Sequence, residues 1–145
     1  MNKLEASDIV TYLNRTGNLW AMEGQADAWA DALDDVDGAI AFQAAREIAR
    51  TRASTEKAMT PGDIRKHVEQ IRRQRLQGAP SPQPPSELEG DPAREKRWTK
   101  LRAYAIGNGM PHAEADRYAD HHMQVVRAEL PTVARNVTIA PPPRP

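Results

Sequence analysis

The sequence predicts an all-α protein with a small N-terminal helical bundle of about four helices, a proline-rich linker and a C-terminal helical hairpin. Apolar residues recur every three or four positions in several segments, the spacing that places side chains on one face of a helix. No segment alternates apolar and polar residues between hairpin turns, as a half-buried strand would. Residues 77–92 hold five prolines and two glycines, so neither a helix nor a central strand can persist there.

The first two helices are predicted within the N-terminal domain, residues 1–76. Ser7 is the expected N-cap of the first helix, because its hydroxyl can accept a hydrogen bond from a free backbone N–H, and Gly17 is expected to end it. The inward residues of the first helix are Ile9, Val10 and Leu13. The apolar face of the second helix, residues 23–33, consists of Ala26, Trp29, Ala30 and Leu33.

The third and fourth helices complete this domain. Asp37 is expected to cap the third helix, whose inward residues are Ala41, Phe42, Ala45, Ile48 and Ala49. Thr60 is expected to cap the fourth, with Pro61 in its first turn and Asp63 completing a capping box. Its buried stripe is Ile64, Val68 and Ile71. The expected core of the domain is Trp20, Trp29, Phe42, Ile48, Ile64 and Val68.

Residues 77–92 are predicted to be a semi-extended linker, because proline removes backbone donors and fixes φ. The second module is expected over residues 93–131, with Asp91 and Pro92 at the start of a fifth helix. The inner stripe of that helix is Trp98, Leu101 and Ala105. A sixth helix is predicted between Pro111 and Pro131, with Ala119, Met123, Val126 and Leu130 inward. Residues 132–145, which end in APPPRP, are predicted to be disordered.

The net charge is zero, but the charge is distributed unevenly. Residues 1–57 contain ten acids and six bases, a balance of −4, and residues 58–76 contain five bases and two acids, +3. Residues 77–90 carry −2, from two acids, and residues 91–145 carry +3, from nine bases and six acids. Such segregation indicates contact with charged partners through different parts of the surface, and argues against a uniformly positive coat for nonspecific DNA binding.

The composition restricts the classes of protein that the chain can be. The absence of cysteine excludes disulfides and thiolate zinc sites. The N-terminus lacks an apolar signal region, and no apolar run approaches the ~20 residues of a membrane span. These observations predict a soluble cytoplasmic protein with no membrane contact.

Two clusters contain side chains that could bind a metal, and only residues 111–123 are a candidate for chemistry. The acidic run at residues 23–37 lacks the spacing of an EF-hand loop, which favours an ordinary acidic face. In residues 111–123, His112, Asp116 and Asp120 lie at i, i+4 and i+8, a spacing that metal ligands use. The segment is not H-E-x-x-H and has no second ligand set, which favours exposed carboxylates over metal or acid–base chemistry. Because no nucleotide-binding loop or nucleophile motif occurs either, we expect no enzyme, no cofactor and no metal.

The fourth helix carries five cations around its exposed arc. Arg65 and Arg72 lie on one flank of the apolar stripe, at ~100° per residue. Lys66 and Arg73 lie on the opposite face, and Arg75 returns to the apolar side after the stripe has ended. This spread favours a solvated or protein-contacting face over a phosphate-contacting one. A DNA-recognition helix ordinarily starts with uncharged, bidentate side chains, whereas this one starts with TPGDIRK.

Three segments carry a family resemblance: ADAWADAL, AIAFQAAREIAR and MTPGDIRKHVEQIRRQRL. Through them, residues 7–76 resemble the N-terminal helical domain of the loader-and-inhibitor proteins of phage replicative helicases, and small proteins that actinobacterial phages encode among their replication genes. The resemblance implies a non-enzymatic adaptor that binds a hexameric helicase, restrains it and hands it to an initiator complex in a phage-infected bacterial host. That family has a flexible tail after this domain, whereas residues 91–130 here have helical patterning.

The leading hypothesis is therefore a replication adaptor whose two tethered modules bind together through effective concentration. Its expected contact residues are Arg65, Arg72, Arg73, Arg75, Lys96, Arg97, Trp98 and Arg102. The alternative is a small DNA-binding transcriptional regulator that makes weak nucleic-acid contacts through the same cations. A third hypothesis is an enzyme or metalloprotein built on the histidine cluster of residues 111–123, which contains His112, His121 and His122. A homodimer is also predicted, through Trp98, Leu101, Met123 and Val126.

Overall fold

The computed structural model describes residues 1–52 and 57–124, and this part of the chain is helical with no strand. Its helices are α1 (Lys3–Arg15), α2 (Gln25–Ala32), α3 (Gly38–Thr51), α4 (Pro61–Gln77), α5 (Pro92–Gly107) and α6 (His112–Met123), with a short 3-10 turn at Ser86–Leu88. The all-α prediction is confirmed. The predicted roles of Val126, Leu130 and Pro131, and the predicted disorder of residues 132–145, lie outside the described residues. No helix in the described ranges is long and apolar enough to cross a membrane.

One apolar core unites α1 to α4. The predicted stripe of α4 is buried, with Ile64 and Val68 inaccessible and Ile71 only 5% exposed, and it belongs to the same cluster as Trp29. Ala41, Ala44 and Ala45 of α3 are completely buried in this cluster, which lets α3 pack closely against α1 and α4 because each presents only a methyl group. The charged arc of α4 therefore lies on the side opposite a packed core.

Helix α1 begins earlier than Ser7, so the predicted N-cap is wrong. Asn2 is the N-cap, since its side chain accepts a hydrogen bond from the N–H of Glu5 at 3.0 Å. The Glu5 carboxylate in turn accepts from the N–H of Asn2 at 2.7 Å. This reciprocal capping box satisfies two free N–H groups, which a serine inside the second turn cannot reach.

The predicted caps of α3 and α4 are present, and so is Asp91 at the start of α5. Asp37 accepts hydrogen bonds from the N–H groups of residues 39 and 40, at 3.0 and 3.2 Å, and starts α3. Thr60 accepts from the N–H of Asp63 at 3.3 Å, while the Asp63 carboxylate accepts from the N–H of Thr60 at 2.9 Å. With Pro61 at the first helical position, these bonds set the start of α4.

Trp20 was predicted to be part of the core, and this prediction is wrong because its side chain is 84% exposed. The loop between α1 and α2 buries the neighbouring Leu19 instead, which is 6% exposed. Phe42 and Ile48 are partly buried at the edge of the cluster, where the Phe42 ring lies 5.5 Å from the ring of Tyr12. Of the six residues predicted for this core, Trp29, Ile64 and Val68 are fully enclosed.

Helices α5 and α6 pack against each other over two smaller apolar clusters. Trp98 is completely buried with Leu88, Ala119 and Met123, and the second cluster is Ala105, Ile106 and Ala115. Leu88 belongs to the segment that was predicted to be a semi-extended linker, yet it is inaccessible to solvent. That expectation is corrected: the leucine of the 3-10 turn covers Trp98, so burial of apolar surface holds this part of the segment in place.

Helices α4 and α5 are in direct contact. Two arginines of α4 donate to groups at the end of α5, so the N-terminal helices and the α5–α6 pair are docked rather than connected only by a tether. Residues 77–92 therefore connect two groups of helices that also touch each other directly.

Candidate interaction surface

A groove of about 500 Å³ runs between α4 and α5. Its walls include Arg72, Arg73, Leu76, Ala103, Tyr104 and Gly107, and we call it the α4–α5 groove. Two of its apolar side chains reach solvent, since Leu76 is 39% and Tyr104 is 51% exposed. A groove that combines exposed apolar side chains with cations at its edge is suited to binding a protein segment.

Arg72 forms one wall of this groove. Its Nε and Nη2 donate to Oδ1 of Asn108 at 3.1 and 3.0 Å, and its Nη1 donates to Glu69 at 3.1 Å. The guanidinium carbon lies 6.0 Å from the centre of the Tyr104 ring. Its aliphatic stem packs on Gly107, where an added β-carbon would lie 3.2 Å from Cγ. Glycine at this position therefore lets α4 and α5 approach closely.

Arg75 joins three helices. Its Nη1 donates to the carbonyl oxygen of Gly107 at 2.9 Å, and its Nη2 donates to Oε1 of Gln43 at 2.8 Å. The carbonyl groups at the end of α5 lack partners within the helix and carry its negative dipole, so a cation is favourable there. Arg75 was predicted to bind a partner, but the structure uses its guanidinium to dock α5 on α3 and α4.

Arg73 differs from its neighbours because it remains available. It is exposed at the groove edge and has no hydrogen-bond or ion-pair partner within residues 1–52 and 57–124. Arg72 forms an ion pair with Glu69, which offsets its positive charge. Arg73 has no such partner in the described residues, so it gives the groove its uncompensated positive charge. Of the α4 arginines predicted as contact residues, Arg73 fits that role best.

Arg65 is exposed but already paired. Its guanidinium donates to both carboxylate oxygens of Asp35, at 2.7 and 2.8 Å, and to the carbonyl oxygen of Ala32 at 2.6 Å. The side-chain hydrogen bond raises the pKa of Arg65 and lowers the pKa of Asp35 from their ordinary values. Arg65 thus connects α4 to the end of α2, and a partner would have to displace this bidentate pair.

The predicted contact residues of α5 divide into two groups. Lys96 and Arg97 are exposed, as a contact role requires. Trp98 is completely buried and its Nε1 donates to Asp120 at 2.8 Å, so the expectation that its ring is presented to a partner is wrong. Arg102 is only 6% exposed, and its Nε donates to Asp116 at 2.6 Å. Both side chains stabilise the α5–α6 pair instead.

The same contacts account for the acidic residues of the histidine cluster. Asp116 and Asp120 were expected to be exposed, but Asp116 pairs with Arg102 and Asp120 is 7% exposed beside Trp98. The ring of His122 lies 4.3 Å from that of Tyr118. Within the residues that the structure describes, no three side chains of the types that bind metals are placed to share an ion.

Sequence reasoning missed several exposed apolar residues. Leu76 and Tyr104 line the α4–α5 groove, and Trp20 and Met22 are 84% and 73% exposed in the loop between α1 and α2. The position of Leu76, after the buried stripe of α4 had ended, was the available signal for one of them. Comparisons of the chain with protein-family models, with curated proteins and with solved structures found no match.

Proposed function

We propose that this protein is a non-enzymatic accessory protein of phage DNA replication, which binds a hexameric replicative helicase and loads or inhibits it. In this proposal the N-terminal four-helix bundle, residues 1–76, and the C-terminal helical hairpin, residues 93–131, form one docked adaptor. It acts in the cytoplasm of an infected bacterium and transfers the helicase to an initiator protein.

The observation that carries the proposal is the α4–α5 groove. Exposed Leu76 and Tyr104 lie beside the unpaired Arg73, and tyrosine and arginine are the residue types that most often dominate binding energy at protein interfaces. The partner class comes from the resemblance of residues 7–76 to the helicase-loader domain. The groove supplies a surface of suitable chemistry for such a partner, on a scaffold that the Arg75 bonds hold in one arrangement.

A second candidate is the DNA-binding transcriptional regulator. It is favoured by Lys96, Arg97 and Lys100, which lie on the exposed side of α5 without ion-pair partners in the described ranges. Phosphate contacts by these cations would make the affinity fall steeply with salt. The proposal of a helicase adaptor requires no such dependence.

The test is a binding measurement between the full chain and the purified replicative helicase of the host, by biolayer interferometry. Arg73→Glu and Tyr104→Ala should each weaken binding at least tenfold, or about 1.4 kcal/mol, as expected for residues central to an interface. Lys66→Glu is the matched control, because it makes the same charge change on the exposed side of α4 outside the groove. It should change the affinity less than twofold, by the small effect of peripheral charges.

Each outcome decides between the candidates. Absence of binding by the wild-type chain refutes the helicase proposal. Binding that Arg73→Glu and Lys66→Glu weaken equally shows that the groove is not the contact. A gel-shift assay on duplex DNA at low salt separates the second candidate, which requires a complex that dissociates as salt is raised.

A further inference from the structure

The most exposed large apolar side chains of the described residues include two that lie close together in one loop. Trp20 is 84% and Met22 is 73% exposed, between α1 and α2. The other two tryptophans of the chain, Trp29 and Trp98, are 3% and 0% exposed. An exposed indole and an exposed thioether two residues apart indicate a contact surface, because both residues are favoured in the buried centres of interfaces.

The loop that carries them, residues 18–24, is here called the Trp20 loop, and its backbone is held at several points. The carbonyl oxygen of Asn18 accepts a hydrogen bond from the N–H of Met59 at 2.8 Å. The N–H of Met22 donates to Gln25 at 2.9 Å, and Leu19 anchors the loop in the core. A loop whose backbone is already held loses little backbone freedom when a partner covers it.

The sequence at the end of the Trp20 loop and after it is acidic. Residues 16–45 contain six acidic residues and no lysine or arginine. Glu23 lies near the end of the loop, and Asp27 and Asp31 follow it at intervals of four on the exposed side of α2. Asp27 pairs with Lys3 at 3.0 Å, whereas Glu23 and Asp31 have no ion-pair partner in the described part of the chain. A site that receives this loop must therefore be an apolar cleft with positive charge at its edge.

The α4–α5 groove of the same chain has these properties. Leu76 and Tyr104 give it an apolar lining, Arg73 provides an uncompensated cation, and its volume of about 500 Å³ exceeds that of an indole. The contact cannot form within one molecule. The Trp20 loop is bonded to Met59, just before α4, whereas Leu76 lies at the far end of that helix, about 24 Å away at ~1.5 Å per residue.

We infer that the Trp20 loop of one copy of this chain inserts Trp20 and Met22 into the α4–α5 groove of a second copy. Because the two surfaces differ and lie at opposite ends of α4, the contact is heterologous and joins molecules head to tail. Arg73 then meets the acidic residues that follow the loop. Self-association would cover the same groove that is proposed to bind the helicase. If the proposed function holds, a molecule that is bound to a second copy through its groove therefore cannot bind the helicase through it.

The experiment uses the full chain without helicase. A negative result would therefore refute self-association and leave the proposal of helicase binding untouched. Sedimentation velocity over a concentration series should show association of the wild type. Trp20→Ala should weaken it at least tenfold, and so should the groove variant Arg73→Glu. Leu4→Ala is the control, because Leu4 is 78% exposed near the opposite end of α1. It should associate as the wild type does.

Mixing the two variants gives the sharpest result. The Trp20→Ala variant retains an intact groove, and the Arg73→Glu variant retains an intact Trp20 loop. Each variant alone should stay monomeric, whereas a mixture should form a 1:1 dimer that does not associate further. Emission from the Trp20 indole of the second variant should shift to shorter wavelength in that dimer, since its other tryptophans are already buried. A wild type that is monomeric at every concentration, a Trp20→Ala variant that associates normally or a mixture that stays monomeric each overturns the inference.

Discussion

Replacing Trp98 with phenylalanine is expected to destabilise the protein strongly, although Trp98 occupies a helix that was predicted to face a partner. The indole is completely buried between Leu88 and α6, and its Nε1 donates to Asp120 at 2.8 Å. Phenylalanine keeps an aromatic ring in the same cluster but removes this donor and one edge of the ring. The substitution therefore separates the polar contribution of the indole from most of its apolar contribution.

The expected magnitude follows from two contributions. A hydrogen bond to a charged group contributes about 1.5–3 kcal/mol, because the buried acceptor loses a partner that water does not replace. The ring is smaller by about 40 Å³, and at ~24 cal/mol per Å³ of cavity this adds about 1 kcal/mol. We expect the free energy of unfolding to fall by roughly 2.5–4 kcal/mol.

The measurement is equilibrium urea unfolding followed by far-UV circular dichroism. Trp20→Phe is the matched control, since it makes the same chemical change at a side chain that is 84% exposed, and it should alter stability by less than about 0.5 kcal/mol. A loss below about 1 kcal/mol for Trp98→Phe would refute the argument, because neither the hydrogen bond nor the burial would then have its expected effect.

Four further predictions concern α4 and its contact with α5. The N–H of Thr60 donates to the Asp63 carboxylate and lowers the pKa of Asp63 from its ordinary value of 3.8. The stability that the ionised carboxylate contributes is therefore fully present above pH 3.8 and is lost as the pH falls through the lower pKa of the folded state. Asp63→Asn should flatten the acid side of the stability–pH curve, and Thr60→Ala should cost about 1 kcal/mol in urea unfolding. Arg75→Met removes the bond to the Gly107 carbonyl and should speed amide hydrogen exchange at the end of α5 but not in α1. Gly109→Ala should cost about 1–3 kcal/mol, measured by thermal unfolding, since φ is +99° and the added β-carbon would lie 3.0 Å from Nη1 of Arg75.

A different result would contradict each of these predictions. An unchanged acid limb in Asp63→Asn would contradict the assigned hydrogen bond, and a neutral Thr60→Ala would contradict the cap. Equal exchange rates in Arg75→Met and the wild type would mean that the guanidinium does not hold α5. A stable Gly109→Ala variant would show that the turn after α5 has another backbone conformation.

The helix starts show how much local sequence can predict. Thr60, Pro61 and Asp63 predicted the beginning of α4, because a cap depends on residues within one turn of each other. The same logic applies to Asn2 and Glu5, whose spacing is the signal for the start of α1 that the choice of Ser7 overlooked. Apolar spacing also predicted correctly which side of α4 is buried.

The candidate site was only partly predictable from the sequence. Arg73 was expected to be available and is, whereas Arg72 and Arg75 bond to Asn108 and Gly107, more than 30 residues away. Their pairing depends on how α5 docks on α4, and no pattern within α4 contains that information. The groove itself exists only because two helices from different parts of the chain lie side by side.

By itself the sequence determined the all-α class, the capping of α3 and α4 and the buried stripe of α4, since each follows from periodicity or from contacts within one helical turn. The tertiary structure alone decided that Trp20 lies in water while Trp98 is enclosed, and that Leu88 packs against it. Hydrophobicity favours burial of all three residues, and it cannot distinguish one tryptophan from the other. Which of them is covered depends on the docking of neighbouring helices, because burial is a property of the space around a side chain rather than of the side chain.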